Sequence, residues 1–413
     1  MYRLTTISRV SIALTLFAGL LALIFQGHLL VYTAILLMTA NVTIFVWSIQ
    51  CSRGITLVRH HTSIAPKGHQ VRVVLTLRNN TRSPRFLLFG FDHFSAGVQE
   101  ERYKAVVFRW VGAFSETSSA YSAVAAKRGV FELGPFYLYS GDPLGFFRHI
   151  RRIGERTKLT VVPVPLPLKI SRLHSTSHIP KDELPTVSVP GQSTEFLGVR
   201  EYAPGDSLRK IHWLSSARLG GLITKQFEKN VASTLSVLLV NDEKSAIGKL
   251  EEHTPLEYSI LIASTLANEI VRKRGYFAFL ELNGGKGCSI SGSEPQFFQR
   301  FSLALAQIKP GRPFSVPSYS SDISKFLPSG SDLIVLIPRL SPVDAEFFSR
   351  LRLNYRVLSV ICFDLESFRR GSPKGGLHRR ISFGLNYLIF EIAFGDNLSS
   401  RLEQFIEKVG VIR

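Results

Sequence analysis

The residues best suited to chemistry lie between Thr194 and Glu228, in the segment TEFLGVREYAPGDSLRKIHWLSSARLGGLITKQFE. Arginine and tryptophan are the residue types that most often anchor protein interfaces. Catalysis would need a nucleophile close to a base. The candidates are His212 as the base and Ser193, just before this segment, as the nucleophile. A single histidine beside a tryptophan is more typical of a structural hydrogen bond, so the segment favours binding over catalysis.

The elements that position these residues follow from turn and capping signals. Phe196 to Tyr202 reads as a strand, and the Pro204-Gly205 turn breaks it. Asp206 or Ser207 is placed to cap a helix that carries Arg209, Trp213 and Ser216. Gly220 and Gly221 end this helix before a second strand from Leu222 to Phe227. The pattern therefore predicts a strand, a helix and a strand.

The whole arrangement resembles the signature of the DUF58 family. Two further motifs in the expected order support the resemblance: KRGVFELGPFYLYSGDPLGFF at Lys127 to Phe147 and VVPVPLPL at Val161 to Leu168. The resemblance implies a membrane-anchored protein with a von Willebrand A-like domain that works beside a MoxR-type AAA+ ATPase. The signature positions implied to bind a partner or to support the structure are Arg200, Glu201, Tyr202, Gly205, Asp206, Arg209, Trp213 and Arg218.

Two interpretations of the signature charges stay open. Glu201, Asp206, Arg209 and Arg218 could form a buried salt-bridge network that orients the two strands and the helix. The same charges could instead form a docking surface for a partner protein. Neither interpretation gives the segment a catalytic residue.

The metal site of von Willebrand A domains is degenerate in this chain. Such domains carry Asp-x-Ser-x-Ser after the first strand, because carboxylate and hydroxyl oxygens suit a hard divalent cation. Aligned on the last serine, Asn241 replaces the aspartate and Glu243 the first serine, and only Ser245 is retained. Aligned instead on Asp242, Lys244 and Ala246 fall at the two serine positions, so either alignment leaves the site defective, and Lys244 adds a positive charge. We therefore expect no metal and no cofactor. The glycine-rich segment Asn283 to Gly287 lacks phosphate-loop spacing and is expected to be a hairpin connection.

The N-terminus predicts a membrane anchor. Residues 10–26 and 29–49 are apolar, and 21 residues of helix span about 31 Å, enough to cross a bilayer core. Arg3 and Arg9 precede the first span and Arg53 follows the second, so both ends are expected in the cytoplasm. A cleaved signal peptide is the competing interpretation, but no convincing cleavage site follows Leu23.

Composition agrees with a cytoplasmic body at a membrane. Three cysteines in 413 residues form no zinc or disulfide pattern. The net charge of +19 is explained by attraction to an anionic lipid surface, with basic loops at Arg148 to Arg156 and Arg369 to Arg380. Nucleic-acid binding is not expected, because the chain has no helix-turn-helix, zinc finger or RNP motif.

Periodicity predicts a multi-domain fold. A transmembrane helical hairpin occupies residues 1–53, a β-sandwich-like domain residues 54–160, the signature region residues 161–230 and an α/β von Willebrand A-like domain residues 231–413. Strand alternation supports the second unit, and alternating apolar strands and helices indicate a parallel sheet in the last. We expect a non-enzymatic, membrane-tethered protein that docks a AAA+ ATPase in envelope-related assembly. A membrane-associated hydrolase is the alternative.

Overall fold

The chain forms two compact units, Met1–Val162 and Pro163–Arg413. This boundary lies near the predicted end of the β-rich domain at residue 160, and the finer division of the chain stays a prediction. The computed structural model describes residues 2–409 except for positions 5, 26, 52, 142–146, 169–189, 204–210, 229–233, 249–252, 373–380 and 385–386. The predicted turn at Asp142 and the cap at Asp206 lie outside the described residues.

Two apolar helices begin the chain, α1 (Thr6–Phe25) and α2 (His28–Cys51). Both are long and apolar enough to cross a membrane, and very little of either is buried by the rest of the protein. A polar cluster joins them: the Ser11 hydroxyl donates to Asn41 Oδ1 at 3.0 Å, and Asn41 Nδ2 donates to the Thr15 hydroxyl at 3.2 Å. Such interhelical hydrogen bonds stabilise helix pairs in lipid.

The rest of the first unit is built from strands in three sheets. The strands are β1 (Tyr2–Leu4), β2 (Ile55–His60), β3 (Ile64–Pro66), β4 (Gln70–Asn79), β5 (Arg85–His93), β6 (Tyr103–Val111), β7 (Glu116–Val124), β8 (Gly129–Leu133), β9 (Phe136–Gly141), β10 (Phe147–Ile153) and β11 (Thr157–Val162). Their orders are β1-β10-β9-β5-β6, β2-β4-β7 and β3-β11-β8. All three sheets contribute to one apolar core, as the alternation along β4 predicts.

Two local predictions for this unit are wrong. The predicted strand Gly129 to Leu138 is split into β8 and β9, because Gly134 has a positive φ of 89° and Pro135 has no N–H to donate. The segment Arg148 to Arg156 is not a loop. It forms most of β10, which pairs with β9 and places Ile153 in the core.

A buried ion pair crosses this core. The Arg59 and Asp92 side chains are 1% and 0% exposed, and Arg59 binds both carboxylate oxygens of Asp92. Arg59 also donates to the Glu155 carbonyl at 2.7 Å, and the Tyr121 hydroxyl donates to Asp92 at 2.7 Å. Burial and the Asp92 carboxylate raise the pKa of Tyr121, so the phenol remains a donor. The network ties β2, β5 and β7 together.

The second unit contains nine strands and seven helices among its described residues. The strands are β12 (Pro190–Glu201), β13 (Ile223–Glu228), β14 (Thr234–Val240), β15 (Tyr276–Leu282), β16 (Ser289–Gly292), β17 (Asp332–Ile337), β18 (Val357–Phe363), β19 (Ile381–Gly384) and β20 (Tyr387–Ile392). The helices are α3 (Trp213–Leu219), α4 (Pro255–Arg272), α5 (Phe297–Gln307), α6 (Ser320–Phe326), α7 (Pro342–Leu351), α8 (Leu365–Arg370) and α9 (Leu398–Val409).

A seven-stranded sheet of order β16-β15-β14-β17-β18-β20-β19 forms the centre of this unit. The five inner strands are parallel, and β16 and β19 add antiparallel edges. Alternate residues of β14 enter two different cores: Leu239 packs with residues of α4, α5 and α9, whereas Leu238 packs with residues of α6 and α7. Both faces of the sheet are covered, which confirms the predicted parallel sheet. The sequence did not predict α6, α8, β16 or β19.

We predict that Asp92→Asn destabilises the protein by roughly 3 to 5 kcal/mol, because the buried Arg59 guanidinium loses its counter-charge. Urea denaturation of the detergent-solubilised protein, followed by tryptophan fluorescence, measures this. The control is Glu132→Gln, which removes an exposed pair with Arg156 at 3.0 Å and is expected to cost less than about 1 kcal/mol. Equal unfolding midpoints for the two variants would contradict the prediction.

Candidate functional site

The signature segment forms a small module of two antiparallel strands and a short helix. β12 pairs with β13, and Arg200 lies opposite Thr224. The predicted helix from Asp206 is wrong at its start, because Ile211 forms a β-bridge with Thr224 and His212 is not helical. The helix α3 begins at Trp213 instead. Gly205, Asp206 and Arg209 lie outside the described residues.

Both ends of α3 are capped. His212 Nδ1 accepts a hydrogen bond from the Ser215 backbone N–H at 3.2 Å, which satisfies one donor of the first turn. Gly220 has a left-handed φ of 71° and donates to the Ser216 carbonyl at 3.0 Å, which confirms the predicted end of the helix. The Ser216 hydroxyl accepts from Ile223 N–H at 2.9 Å and joins the helix to β13.

Among the described residues of the module, His212 and Ser215 form a pair whose side chains are of the types that act as a general base and a nucleophile. His212 Nδ1 lies 2.7 Å from the Ser215 hydroxyl. The same nitrogen accepts the backbone N–H of Ser215, so helix capping accounts for its position. The contact matches the expected structural role of His212. Ser193 was the serine predicted as a nucleophile, and Ser215 was not predicted to contact His212. The signal that could have identified Ser215 is its position three residues after His212, which is the spacing of an N-terminal helix cap.

Of the four signature side chains that the structure describes, three are exposed. Trp213 is 67% exposed, and Glu201 and Arg218 also lie on the surface. Tyr202 is half-buried, and its backbone N–H donates to the Leu222 carbonyl at 2.9 Å. Glu201 and Arg218 are thus not part of a buried salt-bridge network.

A second candidate region lies at the carboxyl ends of β14 and β15, where ligands of parallel sheets usually bind. Asn241 is fully buried there. Its Nδ2 donates to Glu281 Oε1 and to the Lys309 carbonyl, both at 2.7 Å, and its Oδ1 accepts from Gly311 N–H at 3.2 Å. Asn241 therefore connects β14, β15 and the loop after α5.

The residues at the expected metal position do not fit a divalent cation. The Asn241 oxygen already accepts a hydrogen bond, Glu243 is exposed, and Ser245 is buried. Within the part of the chain that the structure describes, three or more His, Cys, Asp or Glu side chains do not come together in any group suited to a metal. With Asn241 and Glu243 at the aspartate and first serine positions, these residues lack the arrangement of one carboxylate and two hydroxyls that suits magnesium.

An open cleft of about 790 Å³ lies beside Asn241. The predicted hairpin connection at Asn283 to Gly287 is confirmed, since it joins β15 to the antiparallel β16, and it forms one wall. Basic side chains line the cleft: Lys286, Arg300, Lys309 and Arg312. Burial and the neighbouring Glu281 raise the pKa of the Cys288 thiol in this cleft, which makes it a weak nucleophile at neutral pH.

We predict no saturable binding of Mg²⁺ or Mn²⁺ at micromolar concentration, because the Asn241 amide is neutral and hydrogen-bonded and Lys244 adds positive charge. Isothermal titration calorimetry on the detergent-solubilised protein measures this. Glu294→Ala, at an exposed glutamate elsewhere, controls for weak surface binding. Micromolar binding that is lost in Glu243→Ala and Ser245→Ala but kept in Glu294→Ala would refute the prediction.

Comparison with solved structures gives weak similarities. The CARDB domain of a Pyrococcus furiosus protein, in complex with di-metal ions, matches with 10% identity, a TM-score of 0.21, and coverage of 27% of this chain and 94% of that domain. The PKD domain of an M14-like peptidase from a Thermoplasmatales archaeon matches with 10% identity, a TM-score of 0.17, and coverage of 26% and 92%. These TM-scores carry no argument about fold or function. No curated protein matches the chain.

One family model matches the chain over a region that includes most of the signature segment. The model of DUF58, described as a protein of unknown function, matches residues 198–273. These residues include most of the module and the strand β14 and helix α4 that follow it. The match confirms the DUF58 assignment that the signature residues predicted for this chain.

Proposed function

We propose that this chain is a membrane-tethered, non-enzymatic interaction protein whose second unit docks a protein partner. The observation that carries the proposal is the exposure of Trp213 and Leu214, at 67% and 64%. Two large apolar side chains project from a helix of seven residues that is capped at both ends. Exposed apolar patches of this kind mark interaction sites, and tryptophan is among the most frequent anchors.

The rest of the module supports a docking role. Val199 of β12 and Leu222, the residue before β13, are further exposed apolar residues, and Arg218 lies near the end of α3. Exposed apolar groups beside arginine are the usual composition of an interface centre and its rim. The module also holds these groups in place, because His212 and Ser216 form hydrogen bonds with Ile223 of β13, and β13 pairs with β12.

We further propose that the second unit is von Willebrand A-like. Counted along the chain from β14, its seven strands are ordered third, second, first, fourth, fifth, seventh and sixth, with the third and the sixth antiparallel. This order has the reversal beside the first strand that defines doubly wound folds. The degenerate metal position then favours a domain that binds its partner without a bridging ion.

The partner proposed from the family resemblance is a MoxR-type AAA+ ATPase, in envelope-related assembly. The net charge of +19 supports an acidic partner surface, since complementary charge speeds encounter. Enzymatic hydrolysis is the rival function, and the 2.7 Å contact between His212 and Ser215 is the observation in its favour.

We predict that Trp213→Ala weakens binding of the proposed partner, a MoxR-type AAA+ ATPase, by about tenfold or more, because a tryptophan anchor buried in an interface contributes more than about 1 kcal/mol. The measurement is biolayer interferometry on the full-length protein in lipid nanodiscs, with and without nucleotide and at two salt concentrations. Leu353→Ala is the matched control, since Leu353 is 87% exposed in the same unit but lies outside the module.

Electrostatic steering adds a second readout to this experiment. Arg218→Glu is expected to slow association more than it speeds dissociation, and the difference should shrink at high salt. Equal affinity of the wild type, Trp213→Ala and Leu353→Ala would contradict docking through the module. Ester hydrolysis by the purified protein that is lost in Ser215→Ala would favour the hydrolase.

We also propose that α1 and α2 both cross the plasma membrane and leave the two units in the cytoplasm. Arg3 and Arg9 flank the start of α1, and Arg53 follows α2, whereas the turn at Gly27 has no Lys or Arg beside it. Positive residues favour the cytoplasmic side. The apolar surfaces of both helices are free to face lipid.

We predict that protease added to intact spheroplasts leaves the body of the protein uncut, because the membrane shields a cytoplasmic domain. Immunoblotting with an antibody against the second unit measures this. Permeabilised spheroplasts are the control and should show complete digestion. Digestion in intact spheroplasts would overturn the proposed orientation.

A further inference from the structure

The five-stranded sheet of the first unit has one buried face and one outer face. Side chains alternate between the two faces of a strand. Phe136 and Leu138 of β9 enter the core, so Tyr137 and Tyr139 point outward. The same alternation places Tyr103 and Val107 of β6 outside, where they are 57% and 55% exposed.

Aromatic side chains cover this outer face. Phe89 stacks on Tyr139 with ring centroids 5.3 Å apart, and Phe91 meets Tyr139 edge-on at 5.4 Å. Tyr103 lies 6.3 Å from Tyr137. We define the aromatic sheet face as Phe89, Phe91, Tyr103, Val107, Tyr137 and Tyr139. It is a contiguous apolar and phenolic surface, which needs a partner or a function to explain it.

The charge on this face has one sign. Arg152 of β10 lies over the Tyr137 ring at 5.5 Å, and Arg109 of β6 is exposed on the same side as Val107. Among the side chains that the structure describes, the outward positions of these four strands that are not buried are Phe89, Phe91, His93, Tyr103, Ala105, Val107, Arg109, Tyr137, Tyr139, Ile150 and Arg152. None of these is Asp or Glu, so the face suits an anionic surface.

The sheet is directly continuous with the membrane helices. Its edge strand β1 ends at Leu4, a single residue separates Leu4 from the start of α1 at Thr6, and Leu4 pairs with Phe147 of β10. The helix α2 contacts β9 and β10, although no described residue of α2 belongs to the buried core of this unit. The helix therefore meets these strands outside the apolar core.

We propose that the aromatic sheet face rests on the anionic surface of the membrane that holds α1 and α2. Tyrosine is enriched at membrane interfaces because its ring is apolar and its hydroxyl is polar, and arginine side chains bind anionic headgroups. The face would hold the first unit flat against the lipid. This inference rests on the proposed membrane insertion, and its test separates the two.

The test places an environment-sensitive fluorophore at single cysteines in the full-length protein, with Cys51, Cys288 and Cys362 replaced by serine. Val107→Cys reports on the aromatic sheet face. Ser122→Cys is the matched control, since Ser122 is an exposed strand residue of β7 in a different sheet. Leu36→Cys, in α2 at 68% exposure, reports on insertion. The protein is reconstituted in vesicles with and without about one third anionic phosphatidylglycerol.

The Val107 probe is expected to be quenched by a lipid-attached quencher about threefold more than the Ser122 probe in anionic vesicles. The ratio should fall towards one in neutral vesicles and in the double variant Arg109→Glu and Arg152→Glu. A Leu36 probe in lipid with a Val107 probe in water would overturn this inference alone. A Leu36 probe in water would overturn the anchor and the inference together. A Val107 probe shielded in native membranes but not in purified vesicles would assign the face to a protein and overturn the lipid proposal.

Discussion

The hydrogen bonds of Asn241 are the constraint on which the second unit depends. A polar side chain at the buried end of two parallel strands must satisfy every donor and acceptor, or its burial is costly. Asn241 does so by binding Glu281 on the neighbouring strand and two backbone groups of the loop after α5. The loop in turn approaches so closely that a Cβ at Gly311 would lie 1.9 Å from the Asn241 carbonyl. One neutral amide thus fixes the place where this type of sheet usually carries its ligand.

In the first unit the buried polar groups that must be hydrogen-bonded are the charged side chains of an ion pair. Arg59 and Asp92 are both buried, and the remaining donors of Arg59 are met by backbone carbonyls while Tyr121 completes the Asp92 shell. Removing one partner of such a pair is far more costly than removing an exposed pair. The network holds three strands around one core, and this fixes the outer face of the neighbouring sheet. The helix α2 contacts β9 and β10 of the five-stranded sheet, which carry Tyr137, Tyr139 and Arg152 of its outer face.

Two regions of the second unit differ in which side chains are available to a ligand or partner. At the carboxyl end of the parallel sheet the side chains that could hold an ion are hydrogen-bonded, exposed or misplaced, and the Cys288 thiol is held in its protonated form. In the signature module the opposite holds, because Trp213 and Leu214 remain exposed on a helix with capped ends. A surface that keeps apolar groups in water and fixes them in position is suited to binding.

The sequence alone determined the features that depend on local periodicity. The apolar helices, most strands of both units and the helices α4, α7 and α9 follow from repeats of 2 and 3.6 residues, and Gly220 follows from its turn geometry. The DUF58 signature was also evident from residue types, and so was the neutral Asn241 at the end of the first strand of the parallel sheet. Tertiary structure decided the rest. From its sequence β10 was predicted to be a basic loop, but it is a strand because it pairs with β9. The helix α3 starts after its predicted position because Ile211 forms a β-bridge with Thr224. Glu281 gave only a weak signal, a single carboxyl in an apolar strand, because its role is defined by Asn241, which is 40 residues distant in the chain. Pairing between distant segments sets these features, and local sequence carries no record of which partner a strand or a buried polar group will meet.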